Sequence, residues 1–294
     1  MDAKGGGKVQ AIILPRGLLV RRMRPIRHAA PERRVAVERR HDMGDGVDGR
    51  GHYYAFRPGV GWLVHLWKSV TRQDHAHWGA AIAEFLPRDG IAIDVGAHGG
   101  QFTRLLARLV PDGLVIAVEP SGYARSLLRI ALWVRGIRNV VVVAAGLGDA
   151  PGVALISTPI KRRGDMGYGL ATLSRLTRPA VAEPVAVVTL DQLAASLGLR
   201  AVHFIKADIE GFEAALIAGA TRTLVQHRPA MLLEMDDRLL RRAGASLTAL
   251  WARLVALGYA PYRLDHEVGA LLRWVGEPAD GDVIWLHGAG SNST

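Results

Sequence analysis

Three clusters in this sequence hold residue types able to do chemistry, and each stands at the end of a short apolar run. The first is IDVGAHGG, Ile93 to Gly100, in which Asp94 precedes a turn built from Gly96, His98, Gly99 and Gly100. Glycines let backbone N–H groups approach a ligand closely, and a helix opening just after them offers its positive end. The second is Glu119-Pro120, roughly the twenty residues downstream at which nucleotide-binding folds place an acid for ribose hydroxyls. The third is KADIEGFE, Lys206 to Glu213, where Asp208, Glu210 and Glu213 crowd beside one lysine. Buried like charges raise each other's pKa, so at least one of these carboxylates is expected to accept a proton near neutrality.

The spacing narrows the ligand. Gly96, Gly99 and Gly100 form G-x-x-G-G, which departs from the G-x-G-x-x-G of dinucleotide binders. An acid just ahead of the loop repels a pyrophosphate, yet it can accept hydrogen bonds, directly or through water, from the ammonium of an amino-acid moiety. A ligand with an amino acid at one end and a ribose at the other is S-adenosylmethionine. Asp94, Gly96, His98, Gly99 and Glu119 are therefore the expected cofactor residues. Asp149, in GLGD, is placed either to accept a hydrogen bond from an adenine amino group or to serve as a turn residue beside glycine. Asp208 and Glu210 are the candidates for acceptor orientation or proton removal, with Lys206 tuning their charge. Glu213 fits a helix start favoured by the dipole. Carboxylates such as Asp208 and Glu210 suit a divalent cation, but no complete ligand set is visible and no metal is assigned.

The surrounding pattern supplies the elements. Ile91, Ile93 and Val95 make a strand covered on both faces, and Phe102, Leu105, Leu106, Leu109 and Val110 recur as one helical stripe. Strands follow at Leu114 to Val118 and Val140 to Ala144, around a helix from Tyr123 to Arg135 that Gly136 stops. Two β-like pieces, VALIS and VAVVTL, flank the polar loop KRRGDMGYG, whose Arg162 and Arg163 suit a substrate mouth or a solvated loop. Leu190-Asp191 opens a short helix, and further strands are Val202 to Lys206, Ala230 to Glu234, Tyr259 to Leu264 and Asp282 to His287. Ser246 caps a helix that ends at Gly258, and Asp74 caps one that Pro87 ends. This alternation predicts an α/β fold with a mostly parallel, Rossmann-like sheet and helices on both faces. A hairpin-like return of the last strand gives it an antiparallel edge.

Composition sets limits. The 294 residues contain no cysteine, which excludes disulfides, thiolate metal sites and the cysteine nucleophile of pyrimidine C5 methylation. The net charge is +10. Nine arginines against Glu32 and Glu38 fall between Pro15 and Arg40, so much of it belongs to an arm able to touch nucleic acid or anionic lipid, or simply to stay solvated. No aromatics interleave those arginines, which disfavours stacking on bases. No apolar stretch approaches a membrane span, and none has the form of a signal peptide, so a cytoplasmic protein is expected. Four segments follow: a basic extension over 1–51, an aromatic-rich segment and helix over 52–88 packing on the core, the main domain over 89–288, and a tail over 289–294.

IDVGAHGG, AVEP, VTLD, FIKADIEGFE, Ala218-Gly219-Ala220 and RPAMLLE together resemble the FkbM-type family of S-adenosylmethionine-dependent methyltransferases, from about Asp89 to Tyr262. The resemblance implies a seven-stranded class I methyltransferase sheet and methylation of a hydroxyl on a sugar, polysaccharide or secondary metabolite. The chain departs from the family at His98, where Asn is usual, and at Ala207, where an aliphatic residue is usual. Two other functions stay open: a nucleic-acid methyltransferase using the basic arm, and a non-catalytic module that keeps the fold for binding. Against the first, no Asn/Asp-Pro-Pro-aromatic motif follows the fourth strand.

Overall fold

Strands and helices alternate from Ile91 to Val143, as the apolar runs predict, around one large sheet. The computed structural model describes residues 59–159, 180–265, 267 and 269–288. The basic extension 1–51, the aromatics Tyr53, Tyr54 and Phe56, the loop with Arg162 and Arg163, and the tail 289–294 lie outside the described residues. Two helices, α1 (Val60–Thr71) and α2 (Trp78–Ala83), lead into β1 (Ile91–Val95), α3 (Gln101–Leu109), β2 (Leu114–Val118), α4 (Gly122–Val134) and β3 (Val140–Val143). Then come β4 (Gly146–Leu147), β5 (Gly152–Pro159), β6 (Ala180–Val188), α5 (Leu190–Ser196) and β7 (Phe204–Ala207). The remainder is α6 (Glu213–Ala218), α7 (Thr221–His227), β8 (Ala230–Met235), α8 (Asp237–Arg242), α9 (Leu247–Ala256), β9 (Tyr259–Leu264), β10 (Leu271–Arg273) and β11 (Gly281–His287).

The main sheet has eight strands in the order β10-β9-β11-β8-β7-β1-β2-β3. From β3 to β8 all neighbours are parallel. The order reverses between β1 and β7, and open α/β sheets bind ligands beyond the strand ends at such a switch point. Two expectations are corrected here. There are eight strands rather than seven, because Leu271–Arg273 adds an outer strand antiparallel to β9. The last strand is also not the edge: β11 lies between β8 and β9, antiparallel to both. Its Val283, Ile284 and Trp285 are completely buried, so it presents apolar side chains to both faces and needs cover on both. The two β-like pieces flanking the internal loop form β5 and β6, which pair antiparallel from Gly152↔Val187 to Pro159↔Ala180 and join β4 in a second, three-stranded sheet.

Side-chain alternation divides the core into two layers. Ile93, Ile205, Met231 and Leu233 point to one face, under Leu190, Leu216, Leu224, Leu250 and Leu254 of α5, α6, α7 and α9. Ala92, Val115, Phe204, Leu232 and Ile284 point to the other, under Trp78 and Ile82 of α2 and Phe102, Leu105 and Leu106 of α3. Ser246 caps α9 as expected, accepting from Ala249 N at 3.2 Å. Asp74 does not cap α2: His77 holds that position without a side-chain bond, and Asp74 instead accepts from Gln101 Nε2 at 3.2 Å. It lies too far ahead of the first helical turn to reach its free amides.

Candidate functional site

The strand period explains why charge gathers at one end of this sheet. Ala92, Phe204, Leu232 and Ile284 share the face that α3 covers. Counting two residues along each strand puts Asp94, Lys206, Glu234 and Asp282 on that same face. Register then brings them side by side, since Asp94 pairs with Lys206 and Glu234 with Asp282. Lys206 is the cation in the row. Its Nζ stands 3.7 Å from Asp94 Oδ1 and 3.4 Å from Asp208 Oδ2, and it donates to Gly96 O at 3.4 Å. The Phe102 ring lies beneath it, 5.7 Å from the nitrogen.

Asp94 is wholly buried and does not line the cleft. One oxygen accepts from Thr103 Oγ1 at 2.6 Å, and the other makes no hydrogen bond and faces Lys206. Its contacts in this structure are therefore with the chain, holding α3 and Lys206 in place.

The glycine turn crosses directly over the β7 loop. Gly96 has φ +76°, and a Cβ there would stand 2.2 Å from the Asp208 carbonyl oxygen, which no side chain tolerates. Of the three described non-glycine residues with positive φ, His98 (46°) and Glu210 (56°) both line the cleft that this crossing creates. Such backbone costs on the order of 1–3 kcal/mol per residue and persists where surroundings over-determine it. Glu119 supplies part of that determination. Its Oε2 accepts from His98 N and its Oε1 from Ser121 N, both at 2.8 Å. A carboxylate has about four acceptor positions, so each oxygen retains one.

One cleft, partly open to solvent, lies at this end of the sheet. Gly96, His98 and Glu119 form one part of its wall, Asp208, Ile209, Glu210 and Phe212 another, and Ala145, Gly146, Leu147 and Ile156 an apolar third. Six of the sequence candidates thus meet or adjoin one space: Gly96, His98, Glu119, Asp208 and Glu210 line it, and Lys206 lies behind. Gly99 is in the turn but not on the wall, and Asp149 is exposed and not on it either. The apolar third, contributed by the small sheet, was not anticipated from sequence. Among the described residues no group of three or more His, Cys, Asp or Glu is placed to hold a metal ion.

Electrostatics separates the carboxylates. Lys206 holds Asp208 far below the ordinary carboxylate range against the opposing effect of burial, helped by His98 and a hydrogen bond from Glu234. Burial alone would lower Lys206, but Asp208 and Asp94 together outweigh it and raise the ammonium above its usual value. Glu234 goes the other way. Desolvation first, then the Asp208 charge and the hydrogen bond to it, push Glu234 up to about 8, so at neutral pH it keeps its proton and donates it toward Asp208. Desolvation and Asp208 also raise Glu210. Glu213 is raised to about 7, chiefly by desolvation, although its carboxylate accepts from Ile209 N at 3.0 Å, in keeping with its expected place at a helix start.

Two residues of this neighbourhood were not singled out from sequence. Glu234 entered only as the end of RPAMLLE, and its position in an otherwise apolar strand was the available signal. His75 stands against the Phe102 ring at 5.3 Å. Burial and Lys206 lower its pKa, against the opposite pull of Asp208, Asp94 and Asp282. Nothing in the spacing of His75 marks it.

The profile of the methyltransferase FkbM domain matches residues 94–261, more than half of the chain. Curated protein sequences return no match. Among solved structures, the chain is similar to the methyltransferase FkbM from Methylobacillus flagellatus KT at 15% identity and TM-score 0.44, over 76% of this chain and 58% of that one. It therefore spans under two thirds of that protein. An rRNA methylase from Streptococcus thermophilus aligns at 14% identity and TM-score 0.43, over 74% of this chain and 97% of that one. An O-methyltransferase from Bacillus cereus in complex with SAH aligns at 12% and 0.44, over 79% and 92%. The match from Asp94 of the first strand to Pro261 of the ninth takes in the glycine turn, Glu119 and the Lys206–Glu213 block, and places this chain in the FkbM methyltransferase domain family.

Proposed function

We propose that this protein is an S-adenosylmethionine-dependent O-methyltransferase acting on a hydroxyl of a sugar, polysaccharide or secondary metabolite. The observation that carries it is the single cleft bounded on one side by Gly96, His98 and Glu119 and on another by Asp208 and Glu210. The cofactor, when bound, supplies a methyl on a sulfonium that departs as a neutral thioether. The residues present suit it. Glu119 retains an acceptor position on each oxygen for a ribose diol, the Gly96 turn leaves its backbone bare, and the apolar wall of Ala145, Leu147 and Ile156 suits an adenine. Asp94 and Lys206 set the shape and charge of the floor from behind.

For the acceptor, geometry and charge divide the roles. Asp208, kept ionised by Lys206 and by the Glu234 proton, is a weak base but a good hydrogen-bond acceptor, and it orients the hydroxyl. Glu210, with its pKa raised, is the better proton acceptor. As the C–O bond forms, the hydroxyl proton passes to the Glu210 carboxylate. Alignment and exclusion of water supply the rest.

Calorimetric titration with S-adenosylhomocysteine tests this first. The wild type should bind in the micromolar range, and Glu119→Ala should weaken binding by ten- to about a hundredfold, the worth of one charge-assisted hydrogen bond. Hydroxylated acceptors, sugars first, should then become methylated. No binding by a folded wild type would remove the proposal.

A further inference from the structure

Among the described residues, the side of α1 opposite its packed face is left exposed. Val60, Leu63, Val64 and Trp67 recur at i, i+3, i+4 and i+7 on one face of this helix, with exposures of 79, 59, 45 and 61%. Its other face is held by α4, through Trp62 Nε1 donating to Ser126 Oγ at 3.0 Å and a 2.7 Å hydrogen bond between His65 and Tyr123. Two further apolar residues are exposed at the C-terminal end of α4. Arg135 donates to Val70 O at 2.7 Å, so the C-terminal ends of the two helices meet, and there Trp133 is 80% and Val134 51% exposed. Scattered apolar residues on a surface are ordinary, but six gathered on two touching helices mark a contact site.

The charges carried by the two helices themselves are of one sign. Residues 59–73 and 121–141 contain no aspartate or glutamate, while Lys68 and Arg72 follow the apolar stripe on α1 and Arg129, Arg135 and Arg138 lie on or just after α4. Tryptophan and leucine on one face with arginine and lysine at its margin are the composition of a helix that lies in the headgroup layer of a membrane. No described helix is long and apolar enough to cross a bilayer, so the contact is with its surface.

We infer that the α1–α4 face docks on an anionic lipid surface, with Leu63, Trp67 and Trp133 entering the interface and the arginines meeting phosphate headgroups. The net charge of +10 acts in the same sense at longer range. Because α4 begins three residues after Glu119, a membrane-docked molecule keeps its cleft close to the bilayer, which suits an acceptor carried on lipid.

Co-sedimentation of the full chain with phosphatidylglycerol vesicles, and with phosphatidylcholine vesicles for comparison, tests this. The wild type should bind the anionic vesicles and scarcely the neutral ones. Leu63→Ser/Trp67→Ser should lower partitioning by about tenfold or more, with melting temperature and S-adenosylhomocysteine binding unchanged. Trp133→Ser provides the same readout at a single exposed position should the double variant fold poorly. Three results would overturn the inference: no binding to anionic vesicles, equal binding by the variants, or a dimer that the variants dissociate, which would assign the face to a second copy of this chain. Loss of cofactor binding in an otherwise vesicle-bound protein would instead count against the proposed function alone.

Discussion

At the residue scale the site depends on unequal sharing of charge between Asp208 and Glu234. The two face one proton beside one lysine, and Lys206 determines which of them keeps it by stabilising the negative charge on Asp208. Ionising Glu234 as well would set a second carboxylate against the first and remove the donor that fixes its position. Methyl transfer should therefore fall as pH rises through about 8. Glu234→Gln keeps an N–H donor toward Asp208 but cannot ionise, so its profile should stay flat across that range. An alkaline limb of unchanged position in Glu234→Gln, measured in initial rates at saturating cofactor, would exclude Glu234 from the site.

At the element scale the decisive contact is the crossing of the β1–α3 turn over the β7 loop. Both segments use left-handed backbone there, at Gly96 and His98 on one side and Glu210 and Gly211 on the other. A methyl group on Gly96 must find room where the Asp208 carbonyl already stands. Gly96→Ala should cost about 2–4 kcal/mol, the sum of a left-handed alanine and a backbone clash, read as a lower urea midpoint. The same displacement moves His98 N from Glu119, so cofactor affinity should fall with stability. An alanine variant with wild-type midpoint would show that the two segments are not in contact.

At the scale of the whole molecule, burial of acids makes stability depend on pH. Glu213 is 1% exposed and its folded pKa is about 7, against 4.5 in an unfolded chain. Between those values the native state holds a proton that the unfolded state has released, so the contribution of Glu213 to stability falls as pH rises from about 4.5 to 7 and is lost above. The slope is at most about 1.4 kcal/mol per pH unit for one such group. Asp208, with a depressed pKa, acts in the opposite sense, but its contribution is lost only on acidification below the ordinary range. Chemical denaturation from pH 5 to 7 thus reads the raised carboxyls together with His75, whose lowered pKa acts in the opposite sense. Glu213→Gln should flatten the decline, and an unaltered slope would show that Glu213 ionises freely in the folded protein.

Much of this protein is determined locally and so is legible in its sequence. The strands at Ile91, Leu114 and Ala230, the stripe of α3, the Ser246 cap and the glycine turn all follow from periodicity and the conformational needs of single residues. So does the prominence of Asp94, Glu119 and the Lys206–Glu213 block, because acids at strand ends beside glycines have few other uses. What local pattern cannot specify is which strands become neighbours. Glu234 sits beside Lys206 and Asp208 only because β8 pairs with β7, and the interior position of β11 is what buries Val283 and Trp285 on one face and Ile284 on the other. Asp94 is legible as an acid near the turn, but only the tertiary structure set it, buried, against Thr103 and Lys206. The unpartnered face of α1 was equally unreadable, since its apolar residues look the same in a sequence whether a fold covers them or leaves them open. Residue type and spacing therefore determined the chemistry available, and long-range pairing decided which groups share a proton, a cleft or a surface.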